Sequence, residues 1–350
     1  MKKLALLCLI PALGLAACSS DDAKPKTDAD YETDVTQGMH DSLLTDIQAL
    51  HQAALDIVSA APSHAWDADA DADAIQNMKS AWIEARTHYE RTEGALAPLF
   101  PDIDTEIDAR YDDFLATLGD QGDQDLFDDQ GVTGMHAIER ILYQPETPES
   151  VIELEETLPG YKAAAWPATD DEAVEFKTKL CQRLADDTAT LEHDWTPQVI
   201  DLNESFQGLV SLMNEQREKV SKAATDEEES RYAQRTMADI RDNLAGTKAI
   251  YALFEPWLAT KSGGPAIDGD VQNAFGELDT AYSQVSGDAI PQPPADWSSE
   301  SPPPDALTTP FGELWSAVQN AVNPNVQGSA VDGMNRAAVE LGFGQFVEGE

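Results

Sequence analysis

The chain has 350 residues, of which 22 are Lys or Arg and 65 are Asp or Glu, so its formal net charge is −43 at pH 7. Phosphate backbones are bound through Lys and Arg that release counterions, which makes nucleic acid a poor partner for so acidic a protein. An apolar share of 42% rules out a disordered acidic tail and is enough for one large core or two smaller ones. Acidic residues at this density can concentrate cations, coordinate them, or simply keep the surface solvated.

In chain order, Lys2 and Lys3 precede an apolar run over residues 4–17 that is short for a membrane span and has the layout of a secretory signal. Its end, Leu15-Ala16-Ala17-Cys18, resembles the bacterial lipobox, in which the signal (1–17) is removed and the cysteine carries the lipid. Cys18 is then the lipidation site, and 18–35, polar and without hydrophobic period, is a flexible tether. Ser19 after that cysteine points to the outer membrane rather than to inner-membrane retention. Cys8 leaves with the signal and Cys18 is modified, so Cys181 is the single free thiol and reads as an apolar filler.

From residue 36 onward apolar residues recur at threes and fours, and alternating β-branched runs are scarce. The fold class is all-α. Helices are predicted over about 36–60, 74–97, 105–118, 130–143, 172–193, 204–222, 226–259, 268–284, 311–322 and 329–341, with prolines at or near their ends. A weak break at 195–203 divides the body, 36–345, into two packed bundles over about 36–200 and 201–345. The proline-rich stretch 287–310 is an extended connection before the last two helices. Two acidic low-complexity pieces, 67–73 and 120–131, lack the glycine and terminal glutamate of a calcium loop at the right offsets and read as solvated loops.

Chemistry concentrates in Gly134-Met135-His136-Ala137-Ile138-Glu139, where a histidine and a glutamate three apart share a helix face and can meet one ion. The spacing alone is weak, since His64 with Asp67 repeats it. Helical projection aims Glu139 inward among Val132, Met135, Leu142 and Tyr143, with His136 at the edge of that arc. In the helix at 74–97, Glu93 falls within the stripe of Met78, Trp82, Tyr89 and Leu96, and Glu90 lies on its flank. Asp108 sits at the edge of a third apolar arc. Inward carboxylates need a cation or a proton. Arg86, Arg91, Arg110 and Arg140 are one answer, and a metal held by carboxylates and a histidine from facing helices is the other.

These residues resemble a known family. The Gly-x-His-x-x-Glu segment is similar to the signature of the imelysin family, and its neighbours resemble the periplasmic iron-uptake lipoproteins of EfeM/EfeO type within it. The similar blocks are Tyr89-Glu90-Arg91-Thr92-Glu93, Asp104-Thr105-Glu106-Ile107-Asp108-Ala109-Arg110, the 134–142 segment, and a weaker one from Leu212 to Leu253. The resemblance implies two helical bundles with a cleft between them and a metal site built on His136 and Glu139, completed by Glu93, Glu90, Asp108 and, last in rank, Glu215. It also implies capture of iron, with Zn or Mn as other possible cargo, for an EfeUOB-like uptake system with an iron permease and a peroxidase-like partner. One imidazole with several carboxylates suits Fe, Mn or Zn and lacks the sulfur that selects Cu(I).

Two other functions fit the same family name or composition. A metal-dependent peptidase would use Glu139 as ligand or general base, but the H-E-x-x-H spacing is absent. A polysaccharide- or peptide-binding lipoprotein would use aromatics such as Trp82, Tyr89, Tyr143 and Trp166.

Overall fold

The structure, a computed structural model, describes residues 24–346. The signal, the lipobox and Cys18 lie outside them. Thirteen helices and no strand are found among the described residues. The first is α1 (Asp28–Ala60), started by a capping box in which Thr27 and Asp30 each accept from the other's backbone N–H. It begins ahead of the expected position, so residues 28–35 of the anticipated tether are helical and Val35 is already in the core. Spacing by threes and fours carries its buried stripe through Met39, Leu43, Ile47, Leu50, Ala54 and Ile57.

α2 (Ala72–Leu96) is the central rod. It packs against α1 on one side and against α9 (Leu202–Lys222) and α10 (Thr236–Leu258) on the other. That position explains why Arg86 and Glu90 are as buried as Trp82. The predicted helix at 105–118 is two helices, α3 (Pro101–Asp108) and α4 (Tyr111–Leu118), broken at Ala109 and Arg110, whose ψ values are extended. The motif helix α5 (Gly134–Leu142) is short and buried along its whole length. α6 (Glu149–Glu156) was missed, because Pro145 and Pro148 read as breakers when Pro148 is in fact its N-cap. α7 (Asp170–Glu175) runs through a π-wound segment, Phe176–Cys181, into α8 (Gln182–Asp194), and Cys181 is fully buried there as a filler.

The helix predicted from 226 starts only at Thr236. Residues 226–235 form a turn in which Asp226 and Gln234 hold left-handed backbone, φ 59° and 53°. After α10 come α11 (Gly264–Gln284), the extended proline-rich connection, α12 (Pro310–Val322) and α13 (Ala330–Leu341). One continuous apolar core runs from Val35 to Leu341, and a small second cluster gathers Tyr111, Leu115, Val132 and Ala137 beside the motif helix. Trp82, Tyr89 and Tyr143 are core residues, and Trp166 packs edge-on to Trp66. Among the described residues no helix is long and apolar enough to cross a membrane.

Candidate metal centre

Two close backbone approaches build the site. Gly134 opens α5 with φ +81°, and a Cβ there would stand 2.5 Å from the carbonyl oxygen of Ile107. Only glycine lets the end of α3 dock on the start of α5, which sets Asp108 beside His136. At Gly246 a Cβ would stand 2.1 Å from the Arg91 carbonyl oxygen, so α10 presses onto α2 and Asn243 reaches Glu90 and Glu93.

His136 is 1% exposed. Its Nδ1 lies 2.7 Å from Glu139 Oε2, and the other Glu139 oxygen accepts from the backbone N–H groups of Tyr232 (3.1 Å) and Ala233 (2.8 Å). A carboxylate anchored in this way fixes the proton on Nδ1 and turns Nε2 inward. Nε2 makes no hydrogen bond; Asp108 Oδ1 stands 3.4 Å away. Asp108, His136 and Glu229 each offer one ligand atom, and the three lie within 4.8 Å of one another. A second set, Glu90, Glu93 and Glu229, meets the same limit and shares Glu229.

Two resident cations thread the cluster. Arg86, wholly buried, pairs with Asp108 and Glu90, lies 3.3 Å from Glu229 and 3.7 Å from Asp239. Lys219 lies 2.7 Å from Glu229 and 3.3 Å from Glu93. Glu90, Glu93, Asp108, Glu139, Glu229 and Asp239 thus face Arg86, Lys219 and His136, with Arg110 and Arg235 also attracting Glu229 and Asp239, and the carboxylates still outnumber the cations in a water-poor interior. Burial works against a charged imidazole at His136, but the Asp108 and Glu139 carboxylates outweigh it and hold its pKa at about 9. Burial likewise opposes ionisation of Asp108 and Glu229, yet Arg86 and His136 around the first, and Lys219 and Arg86 around the second, keep both below the usual carboxylate range. Desolvation dominates at Glu93 and Asp239, raising both, Asp239 to about 6.

The cluster borders two cavities. One, of about 390 Å³, lies between α2, α3 and α9 and is lined by Glu93, Asp104, Glu204 and Glu215. The other, of about 440 Å³, is lined by Asp104, Asp108, Arg110 and Lys222. Asp104 borders both and accepts from the Tyr89 hydroxyl. Partial enclosure, with Glu93 near, pushes Glu215 up to about 7. Desolvation does the same for Asp104.

The structure therefore brings His136, Glu139, Asp108, Glu90 and Glu93 together and leaves Glu215 at the mouth. The order of Glu90 and Glu93 is reversed relative to the projection: Glu90 is fully buried and Glu93 half-buried, because α9 and α10 cover the flank that an isolated helix would expose. Of the candidate arginines Arg86 lies within the carboxylate cluster and Arg110 is near enough to attract Asp108 and Glu229; Arg140 pairs with Glu155, and Arg91 stands 3.7 Å from Asp46. Lys219, Glu229, Asp239 and Asn243 were missed. The available signal was the pair of off-pattern polar residues in α10, Asp239 and Asn243, inside an otherwise apolar face.

A family model described as imelysin matches residues 36–302. An Efem/EfeO family lipoprotein of Staphylococcus haemolyticus is 28% identical over 288 residues, 79% of this chain and 84% of that protein. The iron uptake system component EfeO of Escherichia coli K12 is 23% identical over 210 residues, 60% of this chain and 45% of its own length, so the chain matches less than half of that relative. Among solved structures, an imelysin-like protein from Psychrobacter arcticum aligns with TM-score 0.53 at 12% identity, covering 93% of this chain and 99% of that one.

Proposed function

The chain belongs to the imelysin family, and from that premise we propose that it captures a transition-metal ion, iron above all, in the bacterial envelope and hands it to an uptake system. One observation carries this reading. The Nε2 of a buried, pre-oriented histidine has no hydrogen-bond partner and faces two carboxylates inside a cluster with more acids than cations. Once Nε2 gives up its proton to an incoming ion, a buried imidazole beside anionic oxygens is the donor set of a borderline metal site. Asp108, His136 and Glu229 supply ligand atoms, Glu139 orients the imidazole, and Glu215 and Asp104 stand at the mouth where a hydrated cation first meets carboxylate. Similarity to an EfeM/EfeO lipoprotein and to EfeO supports iron as the cargo, an envelope location and a permease-containing partner system. Lipidation at Cys18 would hold the body at a membrane surface.

Titration of the chain from residue 19 with Fe(II), Mn(II), Zn(II) and Ca(II) tests this. One site of micromolar or tighter affinity for a transition ion, lost in a His136→Ala, Glu139→Ala double variant that keeps its helix content, is the expected result. Heat from calcium alone, unchanged in the variant, would sink the reading.

A further inference from the structure

The carboxylate sets Asp108–His136–Glu229 and Glu90–Glu93–Glu229 share one glutamate. Two ligand sets bridged by a carboxylate are the ground plan of a dinuclear centre, whose ions stand about 3.5–4 Å apart. The second set, however, already surrounds a charge. Lys219 Nζ lies 2.7 Å from Glu229 Oε2, 3.3 Å from Glu93 Oε2 and 3.6 Å from Glu90 Oε2. Asn243 Oδ1 accepts from the same nitrogen at 3.0 Å, while the Asn243 amide group donates to Glu90 at 2.6 Å and to Glu93 at 2.8 Å. The side chain of Lys219 is 4% exposed. An ammonium is a compact point charge with three donors and no lone pair, so it sits among carboxylate oxygens as a metal ion would and cannot itself be a ligand while charged.

We propose that Lys219 is a tethered cation that fills the Glu90–Glu93–Glu229 set and so confines this centre to a single transition ion at His136. The inference rests on the capture of an ion proposed above and specifies its stoichiometry. Glu229 is then divided between the incoming ion and the ammonium, and it cannot give its full charge to either. A fixed positive charge beside the bound ion also keeps the ion from being held too tightly, which suits a protein that must release what it captures. Arg86 does not serve this role, because its guanidinium spans both sets, touching Asp108 as well as Glu90 and Glu229.

The test counts ions. The chain, Lys219→Met and Lys219→Gln are dialysed against Mn(II), and bound metal is measured by elemental analysis together with the electron paramagnetic resonance spectrum. The expected result is one uncoupled Mn(II) per chain in the wild type and two in each variant, with the six-line signal broadened by coupling through the shared Glu229. One ion in a folded variant, or two in the wild type, overturns the proposal. No ion in the wild type overturns the capture reading itself, and is distinguishable from the first outcome. Should both variants fail to fold, the wild-type count decides alone: one uncoupled ion supports the proposal and a coupled pair refutes it.

Discussion

Two buried arginines, Arg140 on α5 and Arg86 on α2, behave in opposite ways. Arg140 makes a forked pair with Glu155 at 3.0–3.1 Å, donates to the Lys162 carbonyl oxygen at 2.6 Å and lies 3.7 Å over the ring of Tyr111. The Tyr232 hydroxyl closes the knot by donating to Glu155. One cation meets one anion, with the donors around them engaged. Arg86 instead faces Asp108, Glu90, Glu229 and Asp239, its own Nε is unpartnered, and a histidine nitrogen nearby is unpartnered too. Buried charge by itself therefore does not mark a site; a closed pair is structure, whereas an acid surplus with an orphaned donor set has room for an ion. The two regions are also joined, because Tyr232 belongs to the knot through its hydroxyl and to the candidate metal centre through the N–H it gives Glu139.

The comparison is broken most severely by opening the knot. Glu155→Ala leaves Arg140 buried without its anion, and a loss of about 3–5 kcal/mol in urea unfolding is expected. A loss under 1 kcal/mol would show that Arg140 finds water. Gly134→Ala comes next. A side chain at φ +81° beside the Ile107 carbonyl oxygen should cost about 1–3 kcal/mol and, by pushing α3 from α5, separate Asp108 from His136. Ion affinity should fall with stability, and unchanged affinity would detach the glycine from the site.

Glu93→Gln sharpens the contrast, because the same kind of change should have the opposite sign here. Burial and neighbouring carboxylates raise the Glu93 pKa, so its charged form is disfavoured by the fold and a neutral isostere should raise the urea midpoint of the ion-free protein. Ion binding should weaken by roughly tenfold, the scale of losing a neighbouring charge around a metal. A lowered midpoint would mean that the Lys219 contact outweighs the surplus. The remaining test is the pH slope. Asp104 titrates near 7 in the folded chain against 3.8 unfolded, so above pH 4 the folded state holds a proton the unfolded state has released. Stability from this group is fully present at low pH and is lost as pH rises toward 7, and Asp104→Asn should flatten that part of the stability profile. An unchanged slope would remove Asp104 from the account.

Much of this was legible in order along the chain. The periodicity of Val35, Met39, Leu43 and Ile47, the prolines between helices, and the Gly-x-His-x-x-Glu segment each act within a few residues, where spacing on a helix decides which side chains share a face. The errors fall where the deciding contact is remote. Glu90 is more buried than Glu93 because α9 and α10 cover it, and the turn at 226–235 is a turn because Glu139 takes the N–H groups of Tyr232 and Ala233 that a helix would have used.

The sequence by itself determined an all-helical body, the positions of most of its helices, and the histidine and glutamate around which a site would form. It did so because helical periodicity and proline placement are local. Only the tertiary structure decided that Glu139 orients His136, that Glu229 and Lys219 enter the cluster from the other half of the chain, and that Arg140 belongs elsewhere. Those assignments depend on which buried charge lies within a few ångströms of which other, a distance set by the packing of α2 against α9 and α10.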